Sequence, residues 1–228
     1  MDAPTPGLIL IRPGQKVLIM GQNGSGKSVL ASAIARGFDR GSVLVYDPKD
    51  DPEAMIPGSA VATTARDAMR ALPGRVIYRP TSPEMAHIER FWDELCRKLV
   101  DLARRGGGSS AVIVHELGDL GTPYRIGPGF AEVIRKGRSL GITLVMVTQR
   151  PQGIPVIARS EAQHVACFTL TDAADRDVAA SLLADIGSPE SAAVIRLRPL
   201  PLDHRWWYRG PDFRLRLHQP LPYQDATS

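Results

Sequence analysis

Val17-Leu-Ile-Met20, followed by Gly21-Gln22-Asn23-Gly24-Ser25-Gly26-Lys27-Ser28-Val29, decides the fold. Four apolar residues without a polar interruption read as a strand buried on both faces. The next eight residues complete the pattern Gly-x-x-x-x-Gly-Lys-Ser, and Lys27 to Arg36 reads as a helix. Strand, glycine-rich loop and helix in that order make a phosphate cradle. Glycines at 21, 24 and 26 allow backbone conformations closed to larger residues, so successive N–H groups can turn inward on an anion. The helix start adds the positive end of its dipole. Residues Gly21 to Val29 are thus expected to bind ATP, with Lys27 reaching the β- and γ-phosphates and the Ser28 hydroxyl meeting Mg²⁺.

Outward from this loop, short apolar runs alternate with helical patterns. Strands are expected over Ser42–Tyr46, Val76–Tyr78, Ala111–Val114, Ile142–Thr148 and Val165–Leu170. Helices are expected over Glu84–Arg105, over Phe130–Leu140 with Gly141 as C-cap, and over Asp172–Leu183 capped by Thr171 or Asp172. Such alternation predicts an α/β fold, a mainly parallel sheet with helices on both faces. The whole of 1–228 reads as one domain, with a core over about residues 7–197. From Arg198 the composition shifts to Pro, Arg and aromatics, and Trp206-Trp-Tyr208 with Phe213-Arg-Leu-Arg-Leu217 reads as a C-terminal β-hairpin. The aromatics there are weighted toward core or edge packing over stacking on a base or a subunit. Gly106–Ser110 reads as a slack connection or a moving loop.

Two strand ends carry chemistry. Ala111-Val-Ile-Val114 runs into His115-Glu116, and ligands of open α/β sheets bind at that edge. Glu116 is the candidate general base for an attacking water. His115 stands where an acid holding Mg²⁺-bound water is usual. A neutral imidazole can accept a hydrogen bond from such a water but brings no charge. Packing alone is the equal alternative, with Asp47 or Asp119 supplying the charge. Ile142 to Thr148 ends in Gln149, an amide able to touch the γ-phosphate or orient water. Arg135 and Arg138 are spaced to share one helix face. In a ring of ATPases they are candidates for an arginine finger aimed at the neighbour's nucleotide.

These stretches together resemble the FtsK/HerA superfamily of ring-forming DNA-translocating ATPases. Val43-Leu-Val-Tyr-Asp47-Pro48-Lys49 looks like that family's strand ending in Asp-Pro-Lys. His115-Glu116-Leu-Gly-Asp119-Leu120 is similar to its Asp-Glu-x-x-Asp-Leu, with His in place of Asp. Arg135 to Pro151 looks like its Arg-x-x-Gly-Ile-x-Leu…Thr-Gln-Arg-Pro segment. The resemblance implies a RecA-like P-loop NTPase core, a homo-oligomeric ring, hexameric by expectation, and double-stranded DNA held without regard to sequence. It implies Lys27 and Ser28 on Mg-ATP, Glu116 as base, Gln149 as sensor, and Arg138 before Arg135 as the trans arginine. Added membrane helices, a winged helix and an N-terminal barrel are missing. The remaining core is most like the genome-packaging ATPases of tailless icosahedral, internal-membrane double-stranded DNA viruses. That implies a capsid-vertex or membrane protein as partner.

Charge and cysteines fit this reading without proving it. The 28 Lys and Arg against 24 Asp and Glu give +4, compatible with a polyanion partner. Lys49, Arg66, Arg70, Arg104 and Arg105 are candidate phosphate contacts, each otherwise ordinary surface. Cys96 and Cys167 sit in apolar patterns and read as buried free thiols in a reducing setting. No apolar run is long enough to span a membrane and the N-terminus is not a signal peptide, so a cytoplasmic or virion-associated, non-secreted protein is expected. His87, His164 and His204 show no ligand spacing. Two other readings compete: a small-molecule kinase on the same loop, which leaves Thr148-Gln-Arg-Pro151 unexplained, and a non-hydrolysing nucleotide-binding module, which leaves Glu116 and Gln149 unexplained.

Overall fold

In the structure, a computed structural model describing residues 9–38, 41–82, 84–184 and 200–221, the apolar runs form the middle of one sheet. In chain order the elements are β1 (Lys16–Met20), α1 (Lys27–Arg36), β2 (Val43–Tyr46), β3 (Ala60–Ala62), α2 (Ala65–Ala71), β4 (Arg75–Tyr78) and α3 (Met85–Arg104). There follow β5 (Ser110–Val114), β6 (Gly121–Thr122), β7 (Arg125–Ile126), α4 (Pro128–Lys136), β8 (Ile142–Thr148) and α5 (Val156–Ser160). The described chain ends with β9 (His164–Cys167), α6 (Ala173–Leu183), β10 (Trp206–Arg209) and β11 (Leu215–His218). The nine-stranded sheet runs β11-β10-β9-β1-β8-β5-β2-β4-β3, and β6 pairs only with β7. All neighbours from β9 to β3 are parallel, whereas β10 and β11 add as an antiparallel hairpin.

Alternation along each strand sorts its residues between two cores. Leu18, Met20, Leu44, Val112, Val114, Leu144 and Met146 face the side covered by α2 to α6. Val17, Ile19, Val43, Val45, Ile113, Val145 and Val147 face α1, which buries Leu30, Ala31, Ile34 and Ala35. Helices thus lie on both faces, as expected, but unequally among the described residues. α3 buries Ile88, Trp92, Leu95, Cys96 and Leu99, an i, i+4, i+7, i+8, i+11 stripe. Both cysteines are buried free thiols, and burial pushes Cys167 up to about 12.

α1 and β8 match their expected bounds, but α4 does not match the span Phe130–Leu140. It begins at Pro128 because the Asp93 carboxylate, reaching over from α3, accepts the N–H groups of Gly129 (2.6 Å) and Phe130 (3.0 Å). It ends at Lys136 because Gly137 is wedged against backbone. A Cβ there would lie 2.6 Å from the Val133 carbonyl and 2.7 Å from that of Ile142. Arg138 is therefore in the turn beyond the helix, and the expectation that it shares a helix face with Arg135 is wrong. The strand expected over Val165–Leu170 stops at Cys167, although the Phe168 N–H still donates to the Met20 carbonyl at 2.8 Å. β3, α2, α5 and the β6–β7 hairpin had no clear sequence signal; β3 is a three-residue edge strand with Val61 exposed.

The aromatic tail is core. Trp206 is fully buried, stacks on Phe168 (5.8 Å between centroids) and on His218 (4.3 Å), and lies edge-on to Tyr208. Tyr208 Oη and His164 Nδ1 are hydrogen-bonded at 2.7 Å, which joins the hairpin to the parallel strands. Trp206→Ala should destabilise the fold by about 3 kcal/mol, read as a lowered urea midpoint. That is the low end for an aromatic truncation, because the indole N–H has no partner to lose.

Candidate nucleotide site

Parallel register sets the C-terminal strand ends along one edge. Met20 pairs with Thr148 and with Cys167, and Tyr46 pairs with Val114. The next residues, Gly21, Gln149, Phe168, Asp47 and His115, therefore share that edge, as the rule for open α/β sheets requires. A cleft of ≈ 470 Å³ opens there. Asn23 to Val29 form one wall, and Asp47, Lys49, His115, Gln149, Phe168 and His204 face it.

The loop is built for close approach. Gly21 has φ 155°, and a Cβ on it would lie 2.7 Å from both Phe168 Cβ and Ser25 Oγ. Its N–H donates to the Thr148 carbonyl (3.2 Å), and that of Gln22 donates to the Thr169 carbonyl (2.8 Å), which pins the loop to β8 and to the segment after β9. Gly26 caps α1 from the left-handed region at φ 100°, and no side chain caps the first turn. Those N–H groups are the ones a phosphate needs.

Lys27 is buried, and its Nζ donates to the Gln22 carbonyl at 2.7 Å. Burial, opposed by the Glu116 carboxylate, lowers it to about 8. A phosphate group attracts the charged form, so binding is strongest while Lys27 is protonated. Affinity for a non-hydrolysable ATP analogue should be flat below pH 8 and fall above it, by up to about tenfold per unit, when followed by titration calorimetry. In Lys27→Met that alkaline fall should vanish.

The acid strand and the amide strand meet as expected. β8 lies between β1 and β5, so Gln149 stands between the phosphate loop and Glu116. Gln149 Nε2 donates to Glu116 Oε2 at 3.0 Å, and Lys49 Nζ donates to the same oxygen at 2.8 Å. Lys49, offered by sequence as a DNA contact, is therefore engaged with the candidate base. Glu116 is thus held beside the cleft by two side chains that line it.

Neither carboxylate proposed to replace the missing acid on β5 is free. Asp47 is fully buried; it accepts from Arg79 Nε (2.8 Å) and from the Asp51 N–H (3.1 Å). Asp119 accepts from Tyr46 Oη at 3.3 Å and is not part of the cleft wall; burial and Glu116 raise its carboxyl. His115 does face the cleft, its Nδ1 buried and without a hydrogen-bond partner, and burial lowers its pKa.

Arg135 and Arg138 are exposed at the opposite edge, beside the start of β8. The seven residues of β8 put about 20 Å between them and the phosphate loop of their own chain. Arg150 is tied to buried Asp175 at 2.8 Å. Arg104 pairs with Glu132 at 2.5 Å and Arg70 with Asp67 at 3.9 Å, whereas Arg66 and Arg105 are exposed. The Gly106–Ser110 connection leads into the start of β5, also at the edge away from the cleft.

Sequence reasoning missed Phe168, Asp51, Glu53 and His204 as cleft residues. Glu53 is raised by burial, then by Asp51. No local pattern marks them. His204 arrives from the tail, where a Cβ on Gly26 would lie 3.4 Å from its Nδ1.

A strand, a glycine loop capping a helix, and a carboxylate two strands away define a P-loop NTPase fold. Comparison with known proteins agrees. The family model described as ABC transporter matches residues 9–87, a stretch that contains the phosphate loop and stops short of β5. The DNA packaging ATPase P9 of Enterobacteria phage PRD1 is 24% identical over an alignment covering 93% of this chain and 90% of that one. Protein P9 of Pseudoalteromonas phage PM2 is 27% identical, covering 71% of each. The genome packaging NTPase of Sulfolobus turreted icosahedral virus 2, bound to AMPPCP, superposes with a TM-score of 0.70 at 18% identity, covering 92% of this chain and 100% of that one. The resemblance to viral genome-packaging ATPases inferred from the motifs is thus borne out, with the shared fold extending over nine-tenths of the chain. Among the described residues no helix is long and apolar enough to cross a membrane.

Proposed function

We propose that this chain is an ATP-driven motor that moves double-stranded DNA, packaging a viral genome into a preformed capsid. The observation that carries the reading is Lys27 at the start of α1 in one cleft with Gln149, which bonds Glu116 from the adjacent strand end, in a fold shared over nine-tenths of the chain with packaging ATPases. A kinase needs no amide strand between its phosphate loop and its acid, and a silent binding module needs no base behind it.

In this reading Gly21 to Val29 hold the triphosphate through backbone N–H groups, and Lys27 leaves the Gln22 carbonyl for the β- and γ-oxygens. Ser28 presents its hydroxyl to the metal. An ion held there would supply neutralisation of the charge that develops on the phosphate oxygens. Glu116, released from Lys49, takes the proton of the attacking water. Gln149, bonded to Glu116, registers whether the γ-phosphate is present. Phe168 and His204 provide the apolar and aromatic wall for the base. Because Arg138, and next Arg135, lie too far from their own site, they serve the neighbour's, which makes a closed ring the working unit; six subunits are expected. The hairpin tail extends the same sheet, which supports treating residues 1–228 as one unit. Exposed arginines track the DNA backbone without reading sequence. A capsid-vertex or membrane protein is the docking partner, and the motor is virion-associated during packaging.

Displacement of a triplex-forming strand from long duplex DNA tests translocation. ATP-dependent displacement, absent with a non-hydrolysable analogue, is expected. ATP turnover with no displacement in any assembled ring contradicts the motor reading.

A further inference from the structure

Among the described residues three carboxylates are buried: Asp47, Asp93 and Asp175. Asp47 is taken up by Arg79, and Asp93 caps α4. Asp175 sits in the first turn of α6, where an acid ordinarily stays in solvent and answers the helix dipole. Here it is 1% exposed, and both its oxygens leave the helix for the turn that follows β8. Oδ2 pairs with Arg150 Nε at 2.8 Å, and Oδ1 accepts from the Gln152 N–H at 3.1 Å. The residue directly after Gln149 is therefore held by a buried charge from a helix later in the chain.

These contacts close a circuit around the cleft. The Thr148 carbonyl accepts the Gly21 N–H, and Gln149 reaches Glu116. Arg150 and Gln152 are held by Asp175, whose own N–H donates to Asp172 Oδ1 at 3.1 Å. The segment leading into Asp172 carries Phe168, which lines the cleft, and Thr169, whose carbonyl accepts the Gln22 N–H. The Asp175 carboxylate thus links the strand end that carries the amide to the segment that pins the phosphate loop from its other side.

We propose that Asp175 is a positioning residue for Gln149: by clamping the turn at Arg150 and Gln152, it presets the amide for a γ-phosphate and ties that contact to α6. The inference rests on the reading of Gln149 as the γ-phosphate sensor. A preset amide makes its contact without first ordering the turn, whereas a released turn must be ordered at the expense of affinity. ADP has no γ-phosphate, so its binding does not draw on the clamp.

Titration calorimetry with Mg²⁺ and either AMPPCP or ADP gives the preference for the triphosphate in wild type, Gln149→Ala, Asp175→Asn and Arg150→Gln. Asparagine keeps an acceptor for the Gln152 N–H but withdraws the charge that holds Arg150. Arg150 is 63% exposed, so Arg150→Gln releases the same clamp without opening the core should Asp175→Asn fail to fold. The preference for AMPPCP should fall by about fivefold or more in Asp175→Asn and Arg150→Gln, with ADP affinity within about twofold of wild type. Adding Asp175→Asn to Gln149→Ala should lower the preference no further, because Asp175 acts through Gln149. A fall in Gln149→Ala with none in Arg150→Gln or a folded Asp175→Asn overturns the inference and leaves the sensor reading standing. So does an equal loss for ADP and AMPPCP, the mark of a merely structural role. An unchanged preference in Gln149→Ala removes the sensor reading, and the inference with it.

Discussion

Glu116→Gln should lower steady-state ATP turnover by about 10²–10⁴ while leaving ATP bound. The amide keeps the shape of the side chain and its bond from Gln149, but no longer attracts the Lys49 ammonium and cannot accept a proton from water. The hydrogen bonds of Glu116 run to Gln149 and Lys49 rather than to the phosphate loop, so affinity should change little. Trapped ATP, rather than ADP, should accumulate on the variant and be recovered by quenching. If the variant turns over at the wild-type rate, the base lies elsewhere, and Glu53 or Asp51 in the same cleft becomes the next group to replace.

Arg138→Ala should cost about 10³–10⁵ in turnover once rings are assembled, the range of arginine fingers in comparable NTPases. Arg138 leaves the chain at the start of β8, whereas its own phosphate loop lies at the far end of that seven-residue strand. It is exposed and makes no ion pair among the described residues. Any effect on hydrolysis must therefore act on a neighbour. Rings doped with Arg138→Ala should lose the activity of adjacent wild-type subunits, whereas Glu116→Gln disables chemistry in its own subunit. Monomeric Arg138→Ala should bind ATP like wild type. A ring of Arg138→Ala subunits that hydrolyses normally transfers the role to Arg135, which shares the edge and the exposure.

The parts of the site that were legible in sequence are those encoded by contiguous residues. Val17 to Ser28 specifies strand, loop and helix within one stretch, and the bounds of α1 match the reading. Glu116 and Gln149 were legible because each follows a buried apolar strand, and parallel register carries both to the same edge. Phe168 and His204 were not legible: one was hidden in an apolar run that ends as a strand sooner than its composition suggests, and the other lies far along the chain in a tail whose pairing with β9 no local pattern announces. The early end of α4 was hidden for a related reason. Gly137 stops the helix because the Val133 and Ile142 backbones close around it, and the N-terminal cap comes from Asp93 on another helix. Pro128 at the first helical position and Gly137 just past the last are ordinary boundary signals, but Gly141 offered a second glycine stop and the tertiary contacts decide between them.

His115 shows the opposite case. The sequence marked it as a departure, and only the structure showed that Asp47 and Asp119 are spent on Arg79 and Tyr46.

Steady-state ATP hydrolysis by the wild-type chain, with and without long double-stranded DNA and with Glu116→Gln beside it, decides whether the chain is a DNA-driven ATPase. Turnover should rise with DNA and be lost in Glu116→Gln. Slow turnover indifferent to DNA and unchanged by Glu116→Gln would contradict it.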